Sequence, residues 1–292
     1  MRPIGYSGDI IRNQSEHPIV RTTKFHSVED YCLHLIHLRA YEEAAHLARD
    51  KVVLEIGCNN GYGSRLLKAS CGRLIGIDVS KKAVRSARKN FLVPHLEFLL
   101  ADGAKLPFKS ETFEVVIAMQ VVEHLTDPAK VIEEARRVLS PGGFAIFTTP
   151  NSRLRLHPGM KPWNEFHVRE FDPNELTELL ATHFSRVRVR GLFATEPVDS
   201  VERNRIDREK KRSVNSARQG LVGHLKARLP RPLRLCLGTV KAKLRQAVCG
   251  NSVKPFMLEH NSTSCLSYAE YDIESALDLM AICDSTSTRG IG

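Results

Sequence analysis

Apolar residues run along this chain in two alternating rhythms. Residues 1–25 are polar and aperiodic, and 1–27 are expected to form an N-terminal arm. From Val28 to Ala48 the period is helical, with Leu33, Ile36, Tyr41, Ala44, Ala45 and Ala48 able to share one face. A β-forming run from Val52 to Glu55 then breaks into a glycine-rich turn and a helix, Ser64 to Ala69. The alternation continues as strand Arg73–Ser80, helix Lys81–Asn90, strand His95–Leu100, strand Phe113–Met119 and a helix start at Val121. Asp127 to Leu139 is amphipathic, and Ser140-Pro141-Gly142-Gly143 stops it before the strand FAIFTTPN. Pro173–Phe184 reads as a helix, SRVRVRGLFA as an alternating strand, and Ala276–Cys283 as a last strand. Strands alternating with helices predict an α/β fold around a mostly parallel sheet.

The turn after the first strand is the most informative stretch. VVLEIGCNNGYGS places Gly57, Gly61 and Gly63 within seven positions, preceded by Glu55. A dinucleotide fingerprint needs G-x-G-x-x-G, and Asn59 and Tyr62 stand where its second and third glycines would fall. The spacing present is E-x-G-x-x-x-G-x-G. Two further strands also deliver an acid at their carboxyl ends: Asp78 closes RLIGID, and Asp102 follows the third strand with Gly103 and Ala104 beside it. Ligands of open α/β sheets bind at that edge, and an acid about 20 residues past the loop is placed to accept ribose hydroxyls. One acid could be a turn former; Glu55, Asp78 and Asp102 together point to a ligand.

These motifs resemble those of the class I S-adenosylmethionine-dependent methyltransferases. The VEHL segment (Val122–Leu125) and the W-N-x-F-H-V-R-E-F-x-P run from Trp163 resemble the branch acting on quinone precursors, other small molecules and glycans. The resemblance covers about residues 30–195. It implies a Rossmann-like, seven-stranded, mostly parallel sheet with an antiparallel last strand and helices on both faces. It implies S-adenosyl-L-methionine bound by Glu55, Gly57, Cys58, Asn59, Gly61, Gly63, Asp78, Val79, Asp102, Gly103, Ala104, Met119 and Gln120. Many members have Gly where Asn59 stands; Asn tolerates left-handed backbone, so the turn should survive. Residues 28–50 correspond to a helix that lids the cofactor, with Tyr31, His34, His37 and Tyr41 as lid candidates, although all four could equally pack a capping helix. The resulting division is an arm (1–27), a lid helix (28–50), a cofactor-binding core (51–195), a basic insertion (196–255) and a C-terminal segment completing the sheet (256–292).

Charge sharpens the picture. The chain holds 43 Lys+Arg against 33 Asp+Glu, and residues 199–250 carry 14 of those bases and 4 of the acids, so the remaining 240 residues balance at 29 against 29. Leu233, Leu237, Val240, Leu244 and Val248 form a helical stripe within that segment, a combination suited to an anionic membrane surface or to a solvated loop. The segment contains no Phe, Trp or Tyr, so base-stacking platforms are missing and nucleic acid is disfavoured as a partner. Seven scattered cysteines without C-x-x-C read as reduced thiols, and a metal site is not expected. No leader-like stretch and no long apolar run is visible in the chain, which suggests a cytoplasmic protein, with peripheral membrane contact through 199–250.

Methyl transfer from a sulfonium chiefly requires alignment and exclusion of water. An oxygen or carbon acceptor must also lose a proton, so a base is needed. His124 and His167 are the catalytic candidates, each of which could instead be a capping or packing histidine. No N/D-P-P-Y/F turn and no Pro-Cys pair is present, and only Asn151 looks able to serve a metal-assisted reaction. The reading is therefore metal-free, in-line methyl transfer to a small-molecule or glycan/lipid-linked acceptor. An RNA-modifying methyltransferase and a non-catalytic cofactor-binding protein are the alternatives.

Overall fold

The computed structural model describes residue 25, residues 27–227, residue 256 and residues 262–285, side chains of 216–227 excepted. The leucine/valine stripe from Leu233 to Val248 and most of the N-terminal arm lie outside the described residues.

Helix α1 (Val28–Leu47) starts where the Ser27 side chain accepts the Asp30 amide at 3.1 Å, with Glu29 and Asp30 in the positive first turn. Its buried face is Val28, Tyr31, Cys32, Leu35, Ile36, Ala40, Ala44 and Ala45. Leu33 is only half-buried, because that face advances by three and four residues through Leu35 and leaves Leu33 out of step. The core then runs β1 (Val52–Ile56), α2 (Tyr62–Lys68), β2 (Arg73–Asp78), α3 (Lys81–Asn90), β3 (Leu96–Leu100) and β4 (Phe113–Met119). The helix expected from Val121 is a single 3-10 turn, Val122–His124; α4 (Pro128–Val138) opens only where Pro128 supplies a first-turn φ. There follow β5 (Leu139–Pro150), the short α5 (Ser152–Arg155), α6 (Pro173–Ala181), β6 (Arg186–Ala194), α7 (Val198–Ala227), β7 (Leu266–Ala269) and β8 (Asp278–Asp284).

The sheet has eight strands in the order β3-β2-β1-β4-β5-β8-β6-β7. β1 to β5 are parallel, and β8 is antiparallel to both β5 and β6, as expected of the last strand. The eighth strand is β7, four residues added antiparallel at the β6 edge, too short to leave a period in the sequence. Alternate residues feed two cores. Val53, Val115 and Ile117 pack with α1, α2 and α3, while Leu54, Val116 and Ala118 pack with α4 and α6.

α1 is bolted to the far edge of the sheet. Glu43 pairs with Arg39 at 2.8 Å and with β6 Arg190 at 2.5 Å, and both guanidinium groups lie over the Tyr268 ring. The start of the basic segment is folded too. Val198 and Ile206 are buried in α7, Arg203 reaches the Ser275 carbonyl at 3.1 Å, and Arg208 pairs with Glu29 of α1 at 3.1 Å. No helix of the described residues is long and apolar enough to cross a membrane.

Candidate active site at the carboxyl edge of the sheet

The glycine loop turns back onto the protein. Gly57 and Cys58 both donate their amides to the Ile77 carbonyl at 2.9 Å, Asn59 donates to Asp78 Oδ2 at 2.9 Å, and Gly61 to the Cys58 carbonyl at 2.9 Å. With these donors spent internally, this is not an anion cradle of the dinucleotide kind. Asn59 adopts φ +45°, the left-handed turn expected of it. Gly61 sits at φ +83° as the cap of α2, and a Cβ there would also strike Phe98 at 2.7 Å. Gly63 is required for another reason: a Cβ would stand 1.9 Å from Tyr41 Cζ, so the α1 tyrosine covers the loop from above.

Glu55 is fully buried, and both its oxygens are taken: Oε1 by the Tyr41 hydroxyl at 2.9 Å and Oε2 by the Ser64 hydroxyl. Burial pushes its carboxyl up to about 7 against those two hydrogen bonds, and Asp78 adds to the rise. The structure thus makes Glu55 a bolt between α1, β1 and α2. The other lid candidates pack as well. Tyr31 is buried and meets the Phe25 and Phe256 rings edge to face, and His34 lies against the Tyr62 ring at 5.6 Å; His37 is half-buried.

Asp78 ends β2, 6% exposed, and accepts Ser80 N at 2.7 Å and Asn59 N at 2.9 Å on separate oxygens. Burial raises its carboxyl and the two amides oppose the rise. Each oxygen keeps a second lone pair, so two hydroxyls could still be bound. Asp78 is in register with Leu100, and Asp102 lies two residues beyond, its Oδ1 accepting Ala104 N at 2.9 Å. Val79 (38% exposed) and Leu100 (53%) are apolar surfaces left open beside these two acids. Acids flanking exposed apolar side chains fit a ribose and an adenine face, so the residues present suit S-adenosylmethionine. Gly103 packs its backbone on Ile56, where a Cβ would come within 2.9 Å.

Met119 is buried and ends β4; Gln120 follows in left-handed backbone, φ +53°. The Gln120 amide group donates to Thr148 Oγ1 at 3.2 Å and to both oxygens of buried Asp278, at 3.0 and 3.2 Å.

The turn after β4 and the loop before α6 meet at two histidines. The His124 and His167 rings lie edge to face with centroids 4.8 Å apart. His124 Nδ1 is 3.0 Å from the Phe166 carbonyl oxygen, and His167 Nδ1 is 2.8 Å from Glu170 Oε1. Both partners can only accept, so each Nδ1 carries a proton, and in the neutral form of either ring the lone pair lies on Nε2. Burial, with His167 adding, lowers His124 to about 4, so it is a neutral ring at ordinary pH. Glu170 is buried and bidentate with Arg155 at 2.9 and 3.1 Å; Arg155 in turn lies 4.3 Å from the Trp163 ring centroid. Burial opposes the ionisation of Glu170, but His167 and Arg155 together hold it down at about 2. Glu123 lies beside them, fully buried, with no hydrogen-bond partner on either oxygen. Burial pushes its carboxyl well up, its own backbone amide and the Thr149 hydroxyl oppose the rise, and Asp278 and Glu170 add to it.

Sequence reasoning picked His124 and His167 but passed over Glu123, Arg155 and Glu170. The signals were there as the Glu123-His124 dipeptide at a strand end and the i,i+3 spacing of His167 and Glu170. Asn151, expected as the one plausible metal ligand, instead clamps the 273–276 turn through three carbonyls at 2.9–3.1 Å.

Comparison with known proteins agrees with this geometry. Residues 54–147 match the family model described as a methyltransferase domain. A Mycolicibacterium smegmatis protein named a probable S-adenosylmethionine-dependent methyltransferase is 40% identical over 147 residues, 50% of this chain and 56% of that protein. A ubiquinone biosynthesis O-methyltransferase of Hydrogenovibrio crunogenus is 30% identical over 36% of this chain and 45% of its own length. A Mycobacterium ulcerans phthiotriol/phenolphthiotriol dimycocerosates methyltransferase is 27% identical over 49% and 50%. Among solved structures, a Thermotoga maritima S-adenosylmethionine-dependent methyltransferase superposes with TM-score 0.53 at 15% identity, covering 88% of this chain and 92% of that one. Residues 54–147 thus match a methyltransferase domain, and the fold is shared with a solved S-adenosylmethionine-dependent methyltransferase; the cofactor that this likeness implies is S-adenosyl-L-methionine. The chain spans about half the length of these curated relatives.

Proposed function

We propose that this chain transfers a methyl group to a hydroxyl of a small or lipid-linked acceptor. When bound, S-adenosylmethionine supplies a methyl carbon already activated by the sulfonium. The protein's own tasks are then to align the acceptor, keep water out and draw off the acceptor proton. The observation that carries the reading is the imidazole pair at the end of β4, with His167 oriented through Nδ1 by the buried, ionised Glu170. A carboxylate so placed fixes the tautomer and stabilises positive charge on the ring, while Nε2 faces away from it. Arg155 bonds both Glu170 oxygens and lies over the Trp163 ring, which ties that unit into the loop. Two relatives are named for O-methylation in ubiquinone biosynthesis and for methylation of phthiotriol/phenolphthiotriol dimycocerosates, which supports an oxygen-bearing, apolar acceptor. The unbalanced charge of the basic segment supports an acceptor presented at an anionic surface.

S-adenosylhomocysteine release across a panel of phenolic and lipid-linked alcohols is the test. His124→Ala or His167→Ala is expected to lower turnover about 100-fold or more while cofactor affinity holds. Normal turnover in both variants on the true acceptor would overturn the assignment.

A further inference from the structure

Glu123, His124 and His167 each offer a ligand atom, and these three atoms lie within 4.8 Å of one another. His124 arrives from the 3-10 turn after β4 and His167 from the loop before α6, so only the folded chain assembles the set. We propose that these three residues bind a divalent first-row transition cation such as zinc, and that the cation polarises the acceptor hydroxyl.

Four observations point to an ion rather than to packing. The Glu123 carboxyl is fully buried with both oxygens unpartnered, a costly state that a cation would relieve. Each histidine spends Nδ1 on an oxygen acceptor, the arrangement that leaves Nε2 as a ligand and is usual for metal-bound imidazole. The donor set is one carboxylate and two imidazoles, which suits zinc or iron(II) and leaves coordination positions open. Finally, among the described residues Glu170 is ion-paired to Arg155, whereas no cationic side chain pairs with Glu123. Metal–ligand bonds of about 2.0–2.2 Å put donors roughly 3–3.5 Å apart, so the three side chains must draw together by about an ångström. Rotation of the Glu123 carboxylate, held by no hydrogen bond, can supply much of that.

A cation there would take both Nε2 lone pairs, so with the ion bound the histidines serve as ligands instead of as the base. The ion lowers the pKa of a hydroxyl that reaches it, whose proton then passes to bulk water, and the metal-free expectation is replaced by a Lewis-acid one. That use of the cation rests on the methyl-transfer reading; its binding does not. The experiment therefore measures binding alone. Chelator-stripped full-length protein is titrated with Co(II) and followed by its visible d–d bands, then with Zn(II) against a chromophoric chelator. One equivalent is expected, with a nitrogen/oxygen spectrum lacking thiolate charge transfer. Glu123→Gln and His167→Ala should each weaken Zn(II) at least 10-fold, and Glu170→Gln, which frees the His167 ring to rotate, about 10–100-fold. Glu123→Gln keeps the side chain's shape, so it reports on the site even if His167→Ala fails to fold. Absence of the bands in the wild-type protein, a thiolate-type spectrum, or unchanged affinity in Glu123→Gln would overturn the proposal while leaving methyl transfer to be judged by its own product assay.

Discussion

The Tyr41 hydroxyl donates to Glu55 Oε1 at 2.9 Å, so a residue from the helix preceding the sheet holds the acid at the heart of the first strand. Tyr41→Phe strands one oxygen of a fully buried carboxylate, and a loss of about 1–3 kcal/mol is expected in urea unfolding. The same acid should write a pH signature. Its folded pKa is raised from 4.5 to about 7, so the folded state binds more protons than the unfolded state between those values. Its contribution to stability is full below about 4.5 and is lost as pH rises through 7. The stability gap between wild type and Glu55→Gln should therefore move in favour of the variant over that window, and a pH-independent gap would refute the assignment.

Glu170 has the opposite sign. Held down at about 2 by His167 and Arg155, it contributes stability that is present above about 4.5 and lost as pH falls toward 2. Glu170→Gln leaves Arg155 buried without its partner, at a cost of about 3–5 kcal/mol near neutral pH. Guanidinium titrations at descending pH should show that cost shrinking below 4.5.

The positions of β1 to β4 were legible because each strand is a short apolar run bounded by a turn, and β6 because its residues alternate. β5 starts at Leu139, earlier than the Ser140–Gly143 stop suggested, and the acids at Asp78 and Asp102 stand where periodicity put them. What sequence could not show is which polar groups the fold uses up. Glu55, Gly57 and Cys58 carry the expected motif, yet their polar atoms are bonded within the protein. The roles of Glu123 and Glu170 were passed over for the converse reason: despite their local spacing to His124 and His167, their meaning comes from two loops, some 40 residues apart in sequence, that meet only in space.

Asp78 is the best single probe of the cofactor pocket. Its two oxygens already hold Asn59 and Ser80 amides, so removing it loosens the glycine loop as well as deleting the ribose acceptor. Asp78→Ala is expected to weaken S-adenosylmethionine binding by about 1.5–3 kcal/mol in titration calorimetry. Asp78→Asn, which cannot accept both amides through carboxylate oxygens, should fall between. Unchanged affinity in both variants would place the cofactor elsewhere.

The basic segment divides into two parts with different work. In residues 199–215 six bases face four acids; Arg203–Asp199, Arg205–Glu202 and Arg212–Glu209 pair within the stretch and Arg208 pairs with Glu29 of α1, while Val198 and Ile206 anchor the helix. Six bases less four acids leave +2 in residues 199–215, and fourteen bases less those six leaves eight with no acid in residues 216–250, so that stretch holds +8 of the segment's +10: Arg218, Lys226, Arg228, Arg231, Arg234, Lys241, Lys243 and Arg245. Each base near an anionic surface contributes about 1 kcal/mol, so engaging even half of them would recruit the enzyme measurably. Deleting 199–250 would remove the folded start of α7 and confuse the result; replacing the eight bases by Gln preserves it. Wild-type protein should float with vesicles rich in anionic lipid at low salt and sink at about 1 M salt, where the Debye length falls to about 3 Å. The eight-Gln variant should sink under both conditions while its S-adenosylmethionine affinity stays that of the wild type. Flotation of the variant with the wild type would assign the attraction to another surface, and failure of both to float would remove the membrane from the picture.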